Sequence, residues 1–294
     1  MKHVFIIVAL LYSVSVKAET VYTVRGPEYV GDKRMDYDYA ILNLALRKTV
    51  DEYGPYRLEQ SMPGENFKRA LQNVRIGAYK NFFIRAAATP ALSDHMASVP
   101  FPVDRGILGY RISFISNTIQ DKLKEIDTLE ELRKYSVVQG IGWSDSRILK
   151  ANGFKVNTGS SFASMFSMVA EGRSDLFLRG MNEILAEWQA NTNKTGLAIE
   201  TSIAVHYPFP RFFYTTVGNT DAAKRILKGL EIAYEDGSFN RIWRRHFEES
   251  IKFVQLHNRK IFKLSNPFAA KLPQDYKKYN FDPHTSQREI QRTE

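Results

Sequence analysis

Apolar positions along the chain fall into two alternating spacings. Residues 21–24 (Val21, Tyr22, Thr23, Val24) alternate as a strand does and run into the turn formers Gly26 and Pro27. The next stretch places Ile41, Leu42, Leu44, Ala45 and Leu46 at helical spacing, which predicts a helix to about residue 51 capped by Asp36 or Asp38. A strand over 56–60, a short helix over 66–73 and a buried strand over 81–84 follow, the last leading to Arg85 and Thr89. Strand and helix alternating at this spacing argue for an α/β sheet with crossover helices.

Residues 98–110 are rich in turn formers and precede an extended run over 110–115, as a crossing between two lobes would. A charged amphipathic helix is predicted over 123–134. A second α/β unit then begins with a strand over 136–138, the turn Gly140-Ile141-Gly142-Trp143-Ser144-Asp145 and a helix over 144–151. It continues as a strand near 155–156, a helix over 162–171, a strand over 176–178 ending on Arg179 and Gly180, and a helix from 182 toward 190. After a turn at 207–210 the chain runs extended over 212–217. A helix over 222–235 carries Ile226, Leu227, Leu230 and Ala233 on one face. Gly237 ends it, Ser238 caps the next, and Phe239, Ile242, Trp243 and Phe247 form that helix's apolar side. Beyond 261 the pattern dissolves into Lys, Pro, Gln and Asn, so 261–294 reads as a disordered tail.

Composition narrows the setting. Residues 1–18 read as a cleaved signal peptide: a basic start at Lys2 and His3, an apolar run, and Val16-Lys17-Ala18 at the cleavage positions. The expected location is an exported compartment, the periplasm. No cysteine is present, which removes disulfides, thiolate metal sites and a cysteine nucleophile. A hydrophobic share of 44% supports packed cores in place of global disorder. The net charge of +9 comes without a recognised nucleic-acid motif, so it reads as a solvated surface and no nucleic acid is expected.

In an open α/β sheet, ligands lie beyond the carboxyl ends of the strands. Trp143 and Arg179 fall at two such places. Arg179 suits a carboxylate or phosphate, or else pairs with Glu183. Arg85 is a second cation at the matching strand end of the first unit. The two glycines before Trp143 leave the amides of Trp143 and Ser144 to face an anion, while the Trp143 ring stacks on a ligand or packs between helices. Tyr29 follows the first strand as an aromatic cover or a surface tyrosine, and Thr89 is a hydroxyl donor or a helix cap. Glu183 and Glu28 are the carboxylates placed to receive a ligand ammonium. His95, His206, His246 and His257 show no metal-ligand spacing, and no catalytic constellation is visible, so neither an enzyme nor a cofactor or metal is expected.

Three segments carry a resemblance. Asp236-Gly237-Ser238-Phe239 with Ile242-Trp243 and Phe247, Glu171-Gly172-Arg173-Ser174-Asp175, and Ser98-Val99-Pro100-Phe101 resemble, in order and spacing, segments of the extracytoplasmic solute-binding proteins of the amino-acid-type cluster. The resemblance spans about residues 20 to 250 and implies the type II periplasmic binding fold: two Rossmann-like lobes joined by two hinge strands. Lobe 1 is then 19–108 plus 212–260 and lobe 2 is 109–211. It implies a monomer that captures a small polar or anionic solute between its lobes and serves an inner-membrane permease of the ABC type. A sensory or partner-binding module of the same fold is the first alternative. A dehydratase or lyase with Glu28 or Glu183 as general acid is the second. Two family anchors are absent: Ala91 stands where an arginine holds the ligand carboxylate, and Gly180 where an aspartate holds the α-amino group. These departures from the family argue against an ordinary α-amino acid as the solute.

Overall fold

The computed structural model describes residues 18–28, 32 and 34–283; residues 1–17 of the signal expected over 1–18, the candidate Tyr29 and residues 284–294 of the expected tail lie outside the described residues. The first alternating run forms β1 (Thr20–Val24), which pairs in parallel with β2 (Tyr56–Gln60) and β3 (Phe82–Ala87). A returning strand, β11 (Arg211–Thr215), lies antiparallel between β3 and β4 (Ala97–Val99) and completes the order β2-β1-β3-β11-β4. This sheet is lobe 1. Its main cover is a pair of helices, Arg34–Lys48 and Thr220–Glu235, that pack on each other. They approach so closely at Gly229 that a Cβ there would stand 2.1 Å from the carbonyl oxygen of Ala45.

Lobe 2 is built around β5 (Tyr110–Ser116), which is antiparallel to β8 (Phe177–Gly180), β9 (Leu197–Ile199) and β10 (Ile203–His206). Parallel β6 (Val137–Gly140) and β7 (Val156–Gly159) extend it, with Val137 bridged in parallel to Leu176. The helices Ser144–Ala151 and Phe162–Ala170 follow β6 and β7 as crossovers. The chain joins the lobes between β4 and β5 and again between β10 and β11.

Three expectations change. The helix expected over 123–134 is two short pieces, Gln120–Lys124 and Leu129–Leu132, because Thr128 and Glu131 form a capping box that starts a new helix. Asp38 does not cap the first helix; it lies within that helix, 3% exposed, paired with Arg85. The tail expected over 261–294 is ordered through residue 283. It begins as β12 (Lys260–Lys263), parallel to β10 at the edge of the lobe 2 sheet, and then buries Leu264, Ala269, Leu272, Tyr276, Tyr279 and Phe281. Ala269, Leu272, Tyr276 and Tyr279 are spaced by three and four residues, but Pro273 interrupts the run and only the short turns Ala269–Lys271 and Asp275–Tyr279 form; the six side chains are buried in three separate clusters of the body.

His206 ends β10, with its ring 4.2 Å from that of Tyr110. Burial, with Lys263 adding to it, lowers its pKa from 6.5 to about 4. The folded state therefore keeps the imidazole neutral in a window where the unfolded chain takes up a proton. Stability contributed by His206 is present above pH 6.5 and falls away as pH drops toward 4. Chemical denaturation at pH 7 and pH 4.5 is expected to show a smaller loss for His206→Gln than for the wild type. Gly229→Ala is expected to lower the unfolding free energy by about 1–3 kcal/mol through overpacking; an unchanged urea midpoint would show that the two helices part without cost.

Candidate functional site

In each lobe one strand ends beside a strand that a crossing enters: the end of β3 pairs with the start of β11, and the end of β8 with the start of β5. From lobe 1, Arg85 on β3 sets its Nε 2.8 Å from Asp38 Oδ1 and its guanidinium 5.5 Å over the Tyr37 ring. Its Nη1 is buried without a hydrogen-bond partner among the described residues. Burial raises the pKa of Asp38 even though Arg85 and Arg211 oppose the shift. Arg211, the first residue of β11, donates from Nε to Asp104 Oδ2 at 2.5 Å, and Asp104 is fully buried in the first crossing. Tyr37 reaches the same crossing and donates its hydroxyl to the carbonyl of Val103.

Lobe 2 matches this with arginines of its own. Arg111, near the start of β5, stands 2.7 Å from Asp145 Oδ1 and lies over the rings of Phe209 (4.9 Å) and Tyr207 (5.1 Å). Tyr207, in the second crossing, donates to the same Asp145 oxygen. Arg179 ends β8 and meets Glu187 with two parallel bonds, Nε to Oε2 at 2.7 Å and Nη2 to Oε1 at 2.6 Å. Its guanidinium also lies 4.9 Å over Trp143. Such forked, charge-assisted pairs are the strong ones.

Each of these four arginines thus meets a carboxylate: Asp38, Asp104, Asp145 and Glu187. Glu183 is a fifth. Its Oε2 accepts from the Gly180 amide at 3.0 Å and stands 3.1 Å from Arg179 Nη2 and 3.9 Å from Arg111 Nη1. Burial raises its pKa, but Arg179, Arg111 and, from the lobe 1 sheet, Arg211 together outweigh it and hold it below the ordinary carboxylate value. Glu183 is therefore an ionised group felt by three arginines on β8, β5 and β11. Its side chain keeps 27% of its surface exposed.

Of the residues singled out from the sequence, Arg85, Arg179 and Glu183 join these ion pairs. Arg179 is not a free anion receptor: its fork is occupied by Glu187 and Glu183. Trp143 packs inward, with its ring so close to Gly140 that a Cβ there would fall 2.4 Å from Trp143 Cε2. Its amide donates to the Gly140 carbonyl at 3.1 Å, so it does not face an anion as expected. Ser144 starts the following helix and is half-buried. Thr89 serves as a cap, its hydroxyl accepting from the Leu92 amide at 3.3 Å. Sequence reading missed Arg111, Arg211, Asp104, Glu187 and Tyr207. The available signal was a charged residue beside an apolar strand, as in Arg111 before Ile112 and Arg211 before Phe212.

Arg179→Met strands Glu187 and Glu183 without their main cation, and removing one partner of a buried pair costs about 3–5 kcal/mol. Adding Glu187→Gln is expected to recover part of that loss in a double-mutant cycle followed by chemical denaturation. Additive effects would mean the pair is not coupled.

Solved structures share this architecture at low identity. The probable amino-acid ABC transporter extracellular-binding protein YtmK of Bacillus subtilis matches with a TM-score of 0.58 and 13% identity, over 78% of this chain and 98% of its own. An ancestral arginine-binding protein bound to arginine matches at 0.53 and 17%, over 79% and 99%. The VFT2 domain of Bordetella pertussis BvgS matches at 0.54 and 15%, over 77% and 93%. No family model and no curated protein matches the sequence. Fold and function are separable at this distance. What these likenesses and the two sheets establish together is the type II periplasmic binding protein fold.

Proposed function

We propose that this protein is a divergent extracytoplasmic solute-binding protein of the amino-acid-type cluster that captures a small polar solute between its lobes. In this reading it works in the periplasm as a monomer and delivers the solute to an inner-membrane permease of the ABC type. The observation that carries the reading is Glu183. It is a partly exposed carboxylate just past the end of β8, held between Arg179 at 3.1 Å and Arg111 at 3.9 Å, and these arginines keep it ionised. A pre-arranged charge in a low-dielectric cleft recognises a polar group well because it need not reorganise on binding.

The arginines do not favour a simple anion, since each already holds a carboxylate. A solute with a cationic or hydrogen-bond-donating group facing Glu183 fits better. The usual amino-acid anchors lend no support: Ala91 lies in the short Pro90–Ser93 helix, and a Cβ at Gly180 would stand 2.3 Å from Leu108 Cδ1. Export agrees with the expected signal, and no helix among the described residues is long and apolar enough to cross a membrane.

A signalling module of the same fold is the second reading. It is favoured by a buried apolar cluster that runs through both lobes, which suits a domain reporting its own closure. Catalysis by Glu183 has less support, because a general acid needs its proton and arginines keep this carboxylate ionised.

Mass spectrometry of protein extracted under native conditions is expected to find a co-purifying polar metabolite, which raises the melting temperature when added back. Glu183→Gln is expected to weaken its binding at least tenfold, about 1.4 kcal/mol. A broad polar-metabolite panel that moves neither melting temperature nor calorimetric heat would overturn the reading.

A further inference from the structure

A two-lobed hinge turns about the strands that join its lobes. Here the chain passes between the lobes twice more. From the Ser238–Val254 helix of lobe 1 it enters the lobe 2 sheet as β12. Arg259 fastens that passage, donating from Nε to the Val254 carbonyl at the helix end (2.7 Å) and from Nη1 to the Glu200 carbonyl of lobe 2 (2.5 Å).

Residues 265–268 stay tied to lobe 2 and the second crossing. Asn152 Nδ2 donates to the Ser265 carbonyl (2.8 Å), Asn266 Nδ2 to the Pro208 carbonyl (2.7 Å), and Arg147 lies 4.6 Å over the Phe268 ring. The chain then returns to lobe 1. Ala269, Leu272 and Tyr276 join one buried cluster with Phe82 and Phe212 of the lobe 1 sheet. Tyr279 packs 4.3 Å from Phe101 and donates to Glu231 Oε1 at 3.0 Å. The amide of Phe281 donates to Arg105 in the first crossing at 2.7 Å, and its ring lies 5.6 Å from Trp243.

We propose that residues 260–283 form a hinge latch that holds the lobes together in the absence of a solute. The inference needs only the two-lobed fold and not solute capture. The segment has one end hydrogen-bonded into the lobe 2 sheet and the other buried against lobe 1, and it touches both crossings on the way. Few residues separate those anchors, and an extended chain spans at most about 3.6 Å per residue. On this proposal, opening about the crossings strains the short return between the anchors and is resisted until one of them gives. The lobes already touch beyond the crossings, where the Ile184–Gln189 helix of lobe 2 meets the Ser238–Val254 helix of lobe 1. Met181 and Ile184 share a buried cluster there with Trp243 and Phe247.

The absence of cysteine makes the test direct. Lys68, in the lobe 1 helix Phe67–Arg75, and Ser160, just after β7 in lobe 2, are both exposed. Spin labels on Lys68→Cys and Ser160→Cys report the lobe-to-lobe distance in the full chain without solute. A single narrow distribution is expected. Two changes should each add a longer-distance population: Tyr276→Ala with Phe281→Ala, which weakens the lobe 1 anchor, and a Gly/Ser linker inserted between Phe268, the last residue tied to lobe 2, and Ala269, the first buried against lobe 1, which keeps both anchors and slackens the return. Distances unchanged by both variants would overturn the proposal. So would loss of folding on linker insertion, because the segment would then be core and not latch. No solute enters the measurement, so its outcome stands apart from that of the binding experiment.

Discussion

Charge cannot be buried alone, and that constraint organises the middle of this molecule. Moving an ionised group out of water costs several kcal/mol unless a partner and hydrogen bonds compensate it. The chain meets the constraint by drawing each pair from different elements. Asp104 of the first crossing holds Arg211 of β11, and Asp145 at the start of a lobe 2 helix holds Arg111 of β5. Pairing that depends on two elements also fixes how those elements sit, so the crossings are positioned by electrostatics as well as by packing. Such pairs are weak sources of net stability but strong penalties against misplacement. Glu183 differs in having no arginine to itself.

The fold was legible wherever the apolar period was long. The run of Ile41, Leu42, Leu44, Ala45 and Leu46 is the buried face of the Arg34–Lys48 helix, and the alternation at 21–24 is a strand paired on both sides. Order along the chain then suffices to suggest two α/β units. The site was less legible, for a physical reason. Arg179 was recognised from its place at a strand end, yet its partner Glu187 lies on the next helix, and no local pattern distinguishes a paired arginine from a waiting one. Arg111 and Arg211 were overlooked because each is a single charge at the start of an apolar strand, where a solvated end is the ordinary reading.

The C-terminal segment failed for the opposite reason. Its composition of Lys, Pro, Gln and Asn is that of a loose chain, and it has little regular structure of its own. It is ordered because six spaced apolar side chains find places on a body already formed. Sequence statistics describe what a segment does alone, whereas Tyr276 and Tyr279 are buried by Phe212 and Phe101, far away in the chain. Composition is a poor guide to any strand or strap whose burial is supplied by others.

The placement of β12 has one more consequence. A sheet margin exposes unpaired amides and carbonyls that invite another chain to add itself. By laying β12 along β10, the protein closes one flank of the lobe 2 sheet with its own backbone. The new margin is only the four residues Lys260–Lys263, and it presents exposed lysines at both ends. Short length and positive charge are features by which soluble sheets discourage self-association. The flank closed in this way ends in a short margin at which Lys260 is held by Asp127 and Lys263 stays exposed.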